Sequence, residues 1–147
     1  MLTFFVVMLC SSAMLAQQAQ REVPKEEIIN INRAGVEEFK YFIQRFEAAI
    51  LEKERASAST LLEALITRMN LQVSYNLNMS RTDADNPAWA ERHKLQKDIL
   101  QRVRHFRLDF DEPTFPEKAN TLLQDLRKFA KSMEDSLTDV ENWIRNH

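Results

Sequence analysis

Apolar residues in the last third of the chain recur at spacings of three and four. Ala119, Leu122, Leu126, Phe129, Met133, Ser136, Val140 and Trp143 form one seam, and Leu123, Ala130, Leu137 and Ile144 widen it. A stripe in step with 3.6 residues per turn predicts an amphipathic helix, and its width predicts contact with more than one neighbour. Pro116 suits the first turn of that helix, where a missing N–H costs nothing. The preceding helix is expected to start at "DADNPAW", with Asn86 as N-cap and Pro87 at the first position. Leu95, Ile99, Val103, Phe106 and Phe110 are read as its buried side, and "DEPTFP" as the loop that closes it.

The stretch from Val36 to Met79 carries Phe39, Phe42, Phe46, Ile50, Leu61, Leu65 and Met69 at helical spacing. As one continuous helix it would run about 65 Å at 1.5 Å per residue and overshoot the two that follow. Its aromatic start would then lack a partner, forgoing roughly 1.5–3 kcal/mol for each large side chain left in water. A split at "ASAST" removes that conflict, because Thr60 and Glu63 have capping-box spacing ahead of "LLEALI". The segment "ASTLLEAL" from Ala58 also matches "ANTLLQDL" from Ala119, the opening of the last helix. The expected fold is therefore all-α, an antiparallel up-down-up-down four-helix bundle, with a three-helix form containing one long helix 36–79 as the alternative. In that bundle Phe39, Phe42, Tyr75, Trp89 and Trp143 are expected at one end.

Composition supports helices over strands: the 147 residues include one glycine, Gly35, and four prolines, so punctuators are scarce. The first twenty residues carry no charge. "MLTFFVVMLCSSAMLA" has the length and small-residue ending of a secretory signal, read here as an N-terminal signal helix. Cleavage is expected after Ala16, with retention as an anchor the alternative. The division that follows is 1–16 signal peptide, 17–34 polar lead and 35–147 helical bundle. Cys10 is the only cysteine and follows Leu9, a poor neighbour for lipidation, so the exported part has no thiol for a disulfide. That leans toward a bacterial periplasmic protein over a disulfide-stabilised secreted one. The triplet "NMS" at Asn78 is a glycosylation sequon in form only. Twenty basic and 22 acidic residues give a net charge of −2, which offers no electrostatic argument for nucleic acid or an anionic membrane.

The stretch "ININRAGVEEF" resembles the entry to a helix-hairpin-helix module, a resemblance that would imply a grip on a DNA backbone. The following "KYFIQRFEAAILEKE" holds no glycine, and the Gly-x-Gly hairpin that lets amides approach phosphate is missing. The cations Arg92, Lys94, Lys97, Arg102, Arg104 and Arg107 are read as a solvated helix face whose last turn suits the macrodipole. Four-helix bundles host di-iron and haem sites, but no Glu-x-x-His pair is present and no Cys-x-x-Cys-His. His93 or His105 with Met69, Met79 or Met133 is the remaining axial-ligand combination. "DADN" from Asp83 lacks the glycine and closing glutamate of a calcium loop and reads as capping. Glu134, Asp135, Asp139 and Glu141 are spaced as an outer face, so no catalytic, cofactor or metal residue is assigned.

What remains is apolar excess. "FKYFIQRF" offers more than one stripe needs, which makes Phe39, Tyr41 and Ile43 the candidate interaction residues. The expectation is an exported, non-enzymatic bundle acting on a protein partner or on its own copy. A small-ligand carrier, with haem, metal or lipid in the bundle core, is the alternative from another class.

Overall fold

A computed structural model describes residues 23–147. The expected signal segment, its cleavage point and Cys10 lie outside the described residues. Four helices are present, with no strand among the described residues: α1 Lys25–Leu51, α2 Arg55–Thr82, α3 Ala88–Arg104 and α4 Phe115–Asn146. The fold is an all-helical bundle, and the continuous helix 36–79 does not form. Each helix packs against its neighbours in the chain, and α1 also packs against α4.

Helix α1 begins ten residues earlier than the expected boundary at 35, so the second half of the segment read as a polar lead is helical. Ile29 explains the extension. It stands one heptad before Val36 and is fully buried, adding a turn of apolar contact that "KEEIIN" conceals behind its polar neighbours. Glu26 and Glu27 in the first turn favour the positive end of the helix dipole. The helix-hairpin-helix resemblance falls in the middle of this helix, where the backbone makes no turn.

The break between α1 and α2 comes at Glu52–Glu54, several residues before "ASAST". Glu54 N donates to Ala49 O at 2.9 Å and Lys53 N to Ile50 O at 3.1 Å. With Lys53 at φ 55°, these bonds make a Schellman end that satisfies the last carbonyls of α1. Thr60 and Glu63 are exposed inside α2 and do not form a capping box. A side chain in the left-handed region costs roughly 1–2 kcal/mol, which glycine avoids while adding some unfolded-state entropy. Lys53→Gly is therefore expected to stabilise the fold by about 0.5–1 kcal/mol, read as a higher urea midpoint at unchanged slope. An unchanged or lower midpoint would count against the strain.

Helix α3 starts within one residue of the expected position, at Ala88 with Pro87 as its N-cap, and Asn86 Oδ1 accepts the N–H of Ala88 at 3.1 Å. Its buried side is Trp89, Gln96, Ile99, Leu100 and Val103, with Leu95 46% exposed. The helix ends at Arg104, short of Phe106 and Phe110. Beyond it Phe106, Leu108 and Phe110 are half-buried and alternate with exposed His105, Arg107 and Asp109. That period of two marks an extended segment laid over the core, and the rings of Phe106 and Phe110 lie 5.9 and 4.8 Å from Phe115. In α4 the predicted seam is buried from Ala119 to Val140, and Ile144 joins it while Trp143 and Leu137 sit at its edge.

Two apolar clusters result. The larger runs from Ala49, Ala58 and Leu122 through Phe46, Leu65 and Leu126 to Val36, Met69 and Met133; within it Phe39 and Phe129 lie 5.4 Å apart. The smaller gathers Ile29, Met79, Trp89, Val140 and Ile144, with Tyr75 and Trp143 packed on it. Of the aromatic group expected at one end, Tyr75, Trp89 and Trp143 are there, whereas Phe39 and Phe42 belong to the larger core. On α2 and α3 buried polar side chains sit between the two clusters, and they reach Ser132 of α4. Asn76 Nδ2 donates to Gln96 Oε1, and Gln96 Nε2 donates to Ser132 Oγ at 2.9 Å. Asn76 and Gln96 are fully buried, and Ser132 nearly so.

Candidate interaction surface at the α1–α2 turn

Of the three residues expected to form an interaction surface, Phe39 and Ile43 point into the larger core, 0% and 4% exposed. They are corrected to core positions. Tyr41 lies on the opposite face of α1, 56% exposed, its ring tilted against Phe42 at 6.3 Å. The reason is angular. Residues 39, 43 and 46 share one stripe with 36, and position 41 falls about half a turn away at 100° per residue.

The most exposed of the large apolar side chains among the described residues is at the end of α1. Leu51 is 77% exposed, one residue before the turn. It lines a groove of about 420 Å³ together with Ile50, Phe110, Phe115, Pro116, Ala119 and Leu123, and with the polar Glu47, Lys53 and Asn120. Helix α1 supplies one wall, the start of α4 the other, and the extended segment before α4 closes it with Phe110. Arg55 places its guanidinium 5.7 Å from the Phe110 ring centroid. Glu47 is held by Arg127 at 2.8 Å. The turn itself is a run of exposed charges, Glu52, Lys53, Glu54 and Arg55, and none of them makes an ion pair among the described residues.

A second concavity, about 760 Å³, lies between the end of α3 and the start of α4. Its charges are mostly spoken for. Arg102 makes a two-pronged pair with Asp125 at 2.8 and 2.9 Å, and that hydrogen bonding raises the guanidinium pKa further. Lys118 binds Glu112, and with the Thr114 hydroxyl it lowers the Glu112 pKa. His105 turns its Nδ1 to Gln101 O at 2.6 Å. The remaining lining groups, Arg107, Asp109 and Glu117, are mixed in sign and leave no field of one polarity to concentrate a charged ligand.

The other sequence candidates have structural partners. Arg92, read as part of a basic face, is 13% exposed along its side chain; it lies 4.6 Å from the Trp89 ring centroid and pairs with Asp139 at 2.6 Å. Asp83 accepts the Trp89 indole N–H at 2.8 Å, so "DADN" anchors a tryptophan as well as capping a helix. His93 meets Val73 O at 3.0 Å. Met69 and Met133 are in the larger core and Met79 is in the smaller. Among the described residues no group of three or more His, Cys, Asp or Glu side chains is placed to hold a metal ion. Burial raises the Tyr75 pKa beside Trp89, where the rings meet edge to face at 6.1 Å.

Sequence reasoning missed the groove because its walls come from three separated segments. The usable signals were the alternation from Phe106 to Phe110 and the apolar Ile50–Leu51 pair directly ahead of four charges. Comparison with protein-family models, characterised proteins and solved structures finds no match for this chain.

Proposed function

We propose that the protein is an exported, non-enzymatic four-helix bundle that works by binding another protein or its own copy at the end carrying the α1–α2 turn. The observation that carries this reading is Leu51, 77% exposed and lining an apolar groove. A leucine presented to water at the rim of a phenylalanine-lined groove gains free energy only when something covers both. An up-down-up-down order of the helices accompanies the reading. It is supported by the smaller cluster, which joins the starts of α1 and α3, at Ile29 and Trp89, to the ends of α2 and α4, at Met79 and Ile144. Export, to a bacterial periplasm or the medium, rests on the uncharged opening from Met1 to Gln20. No described helix is long and apolar enough to cross a membrane.

A photo-crosslinking residue at position 51 tests the site, with the same probe at exposed Lys131 as control. A discrete protein adduct at 51 and none at 131 is expected. Adducts at both positions, or at neither, would remove the support for this surface. The protein recovered from its own cells should begin at Gln17, and an intact Met1–Ala16 segment would overturn cleavage. A stoichiometric chromophore or metal in that material would replace the interaction reading with the ligand carrier.

A further inference from the structure

We infer that the occupant of the groove is a second copy of this chain, related by a two-fold axis through the α1–α2 turn; this rests on the proposed interaction surface and names its partner. The argument is charge complementarity. Glu52, Lys53, Glu54 and Arg55 alternate in sign, are exposed, and have no ionic partner within their own chain among the described residues. Placed antiparallel to its own copy, the run is self-complementary: position 52 faces 55, and 53 faces 54. Every facing pair then joins an acid to a base, four pairs in all, as a closed two-fold interface requires. A parallel arrangement would set each charge against its like.

The apolar part agrees with the same axis. Leu51 directly precedes the charged run and itself lines the groove, together with Ile50, Phe110, Phe115 and Leu123. A two-fold axis through the turn carries each Leu51 toward the groove of the other copy, so one contact is made twice. Lys53 holds its positive φ at the centre of this surface. The end of a bundle whose helices stand 8–10 Å apart is roughly 20 Å across, about 400 Å² from each copy. The two copies together bury about 800 Å², roughly half the ~1,600 Å² total of a standard interface, so the dimer is weak and reversible, with a Kd in roughly the micromolar range or above.

Sedimentation velocity over a concentration series reads the dimer, and paired charge substitutions test its geometry. Lys53→Glu alone places two acids opposite each other in both symmetric contacts, and Glu54→Lys alone places two bases there. Each purified variant should dimerise at least about tenfold more weakly than the parent. An equimolar mixture of the two should dimerise again, because every 53–54 contact between unlike chains is then an acid with a base. Leu51→Glu should abolish the dimer while leaving the circular-dichroism spectrum and the melting temperature unchanged, since the side chain is exposed within the monomer. A parent that stays monomeric at millimolar concentration, or single variants whose mixture does not recover dimer, overturns the inference. If position 51 still crosslinks to a different protein, the interaction surface stands and only the choice of occupant fails. If it crosslinks to nothing, both fail.

Discussion

Leu126→Asp should abolish the cooperative unfolding transition of this protein. Leu126 is fully buried in α4, in the larger cluster with Phe46, Leu65, Ile99 and Phe129. Removing a buried leucine leaves a cavity worth about 2–5 kcal/mol. The carboxylate that replaces it must then lose its water or take up a proton, a further several kcal/mol with no cation in the cluster to offset it. A domain of this size has about 5–15 kcal/mol in total, so the two losses together consume most or all of its stability. The expected reading is a circular-dichroism signal that declines gradually with temperature, together with solvent-exposed tryptophan emission, because Trp89 is fully buried only while the bundle holds. Lys131→Asp, five residues further along the same helix, is the control. Lys131 is exposed and its pair with Asp135 at 2.7 Å lies in solvent, so the melting temperature should move by less than about 4 °C. Equal losses at both positions would mean that α4 does not turn the face assigned to it toward the core.

That face was readable in advance because α4 is long, one-sided and free of glycine. About seven turns of consistent spacing, from Ala119 to Ile144, leave little room for another register. The start of α3 was readable for a different reason: Asn86 followed by Pro87 combines a side-chain acceptor with a residue that needs no donor. Elsewhere the signals were weaker for physical reasons. The α1–α2 break turns through Lys53, and a left-handed lysine has no mark in a sequence where such turns are recognised by glycine or asparagine. The start of α1 hides behind asparagines, and only the heptad from Ile29 to Val36 betrays it. On α3 the count of apolar residues favoured Leu95, but Trp89 and Val103 set the face, and Gln96 lies midway between them at heptad spacing. Counting grease alone cannot find a glutamine that a bundle has chosen to bury.

The interaction candidates show the same limit. The density of apolar residues in "FKYFIQRF" exceeds one stripe, yet Phe39 and Ile43 are absorbed by the core because α1 faces both α2 and α4. The surface proposed in their place becomes visible only when the end of α1, the extended segment at Phe110 and the start of α4 are brought together.

Gln96→Leu should destabilise the bundle by roughly 2–5 kcal/mol although it makes the core more apolar. In the native fold Gln96 is the middle of a chain of donors running from Asn76 through its own carbonyl and amide to Ser132. The Oδ1 of Asn76 already lacks a partner among the described residues. Replacing Gln96 strips the Asn76 amide of its acceptor and the Ser132 hydroxyl of its donor, and each buried polar group left unsatisfied costs about 1–3 kcal/mol. Changing all three, Asn76→Leu with Gln96→Leu and Ser132→Ala, removes the polar groups together with their need for partners, so stability should return to the parent value or exceed it. This polar layer touches α2, α3 and α4 at one level, and on α2 and α3 it lies between two apolar clusters that would otherwise tolerate sliding. The triple variant should therefore keep its helicity and gain in urea midpoint while losing dispersion in its amide NMR spectrum, as helices sample more than one alignment. Chemical denaturation of the three proteins, parent, Gln96→Leu and the triple variant, decides the matter. A single variant as stable as the parent would mean that the three side chains are not coupled, and a triple variant with native dispersion would assign the layer no part in setting register.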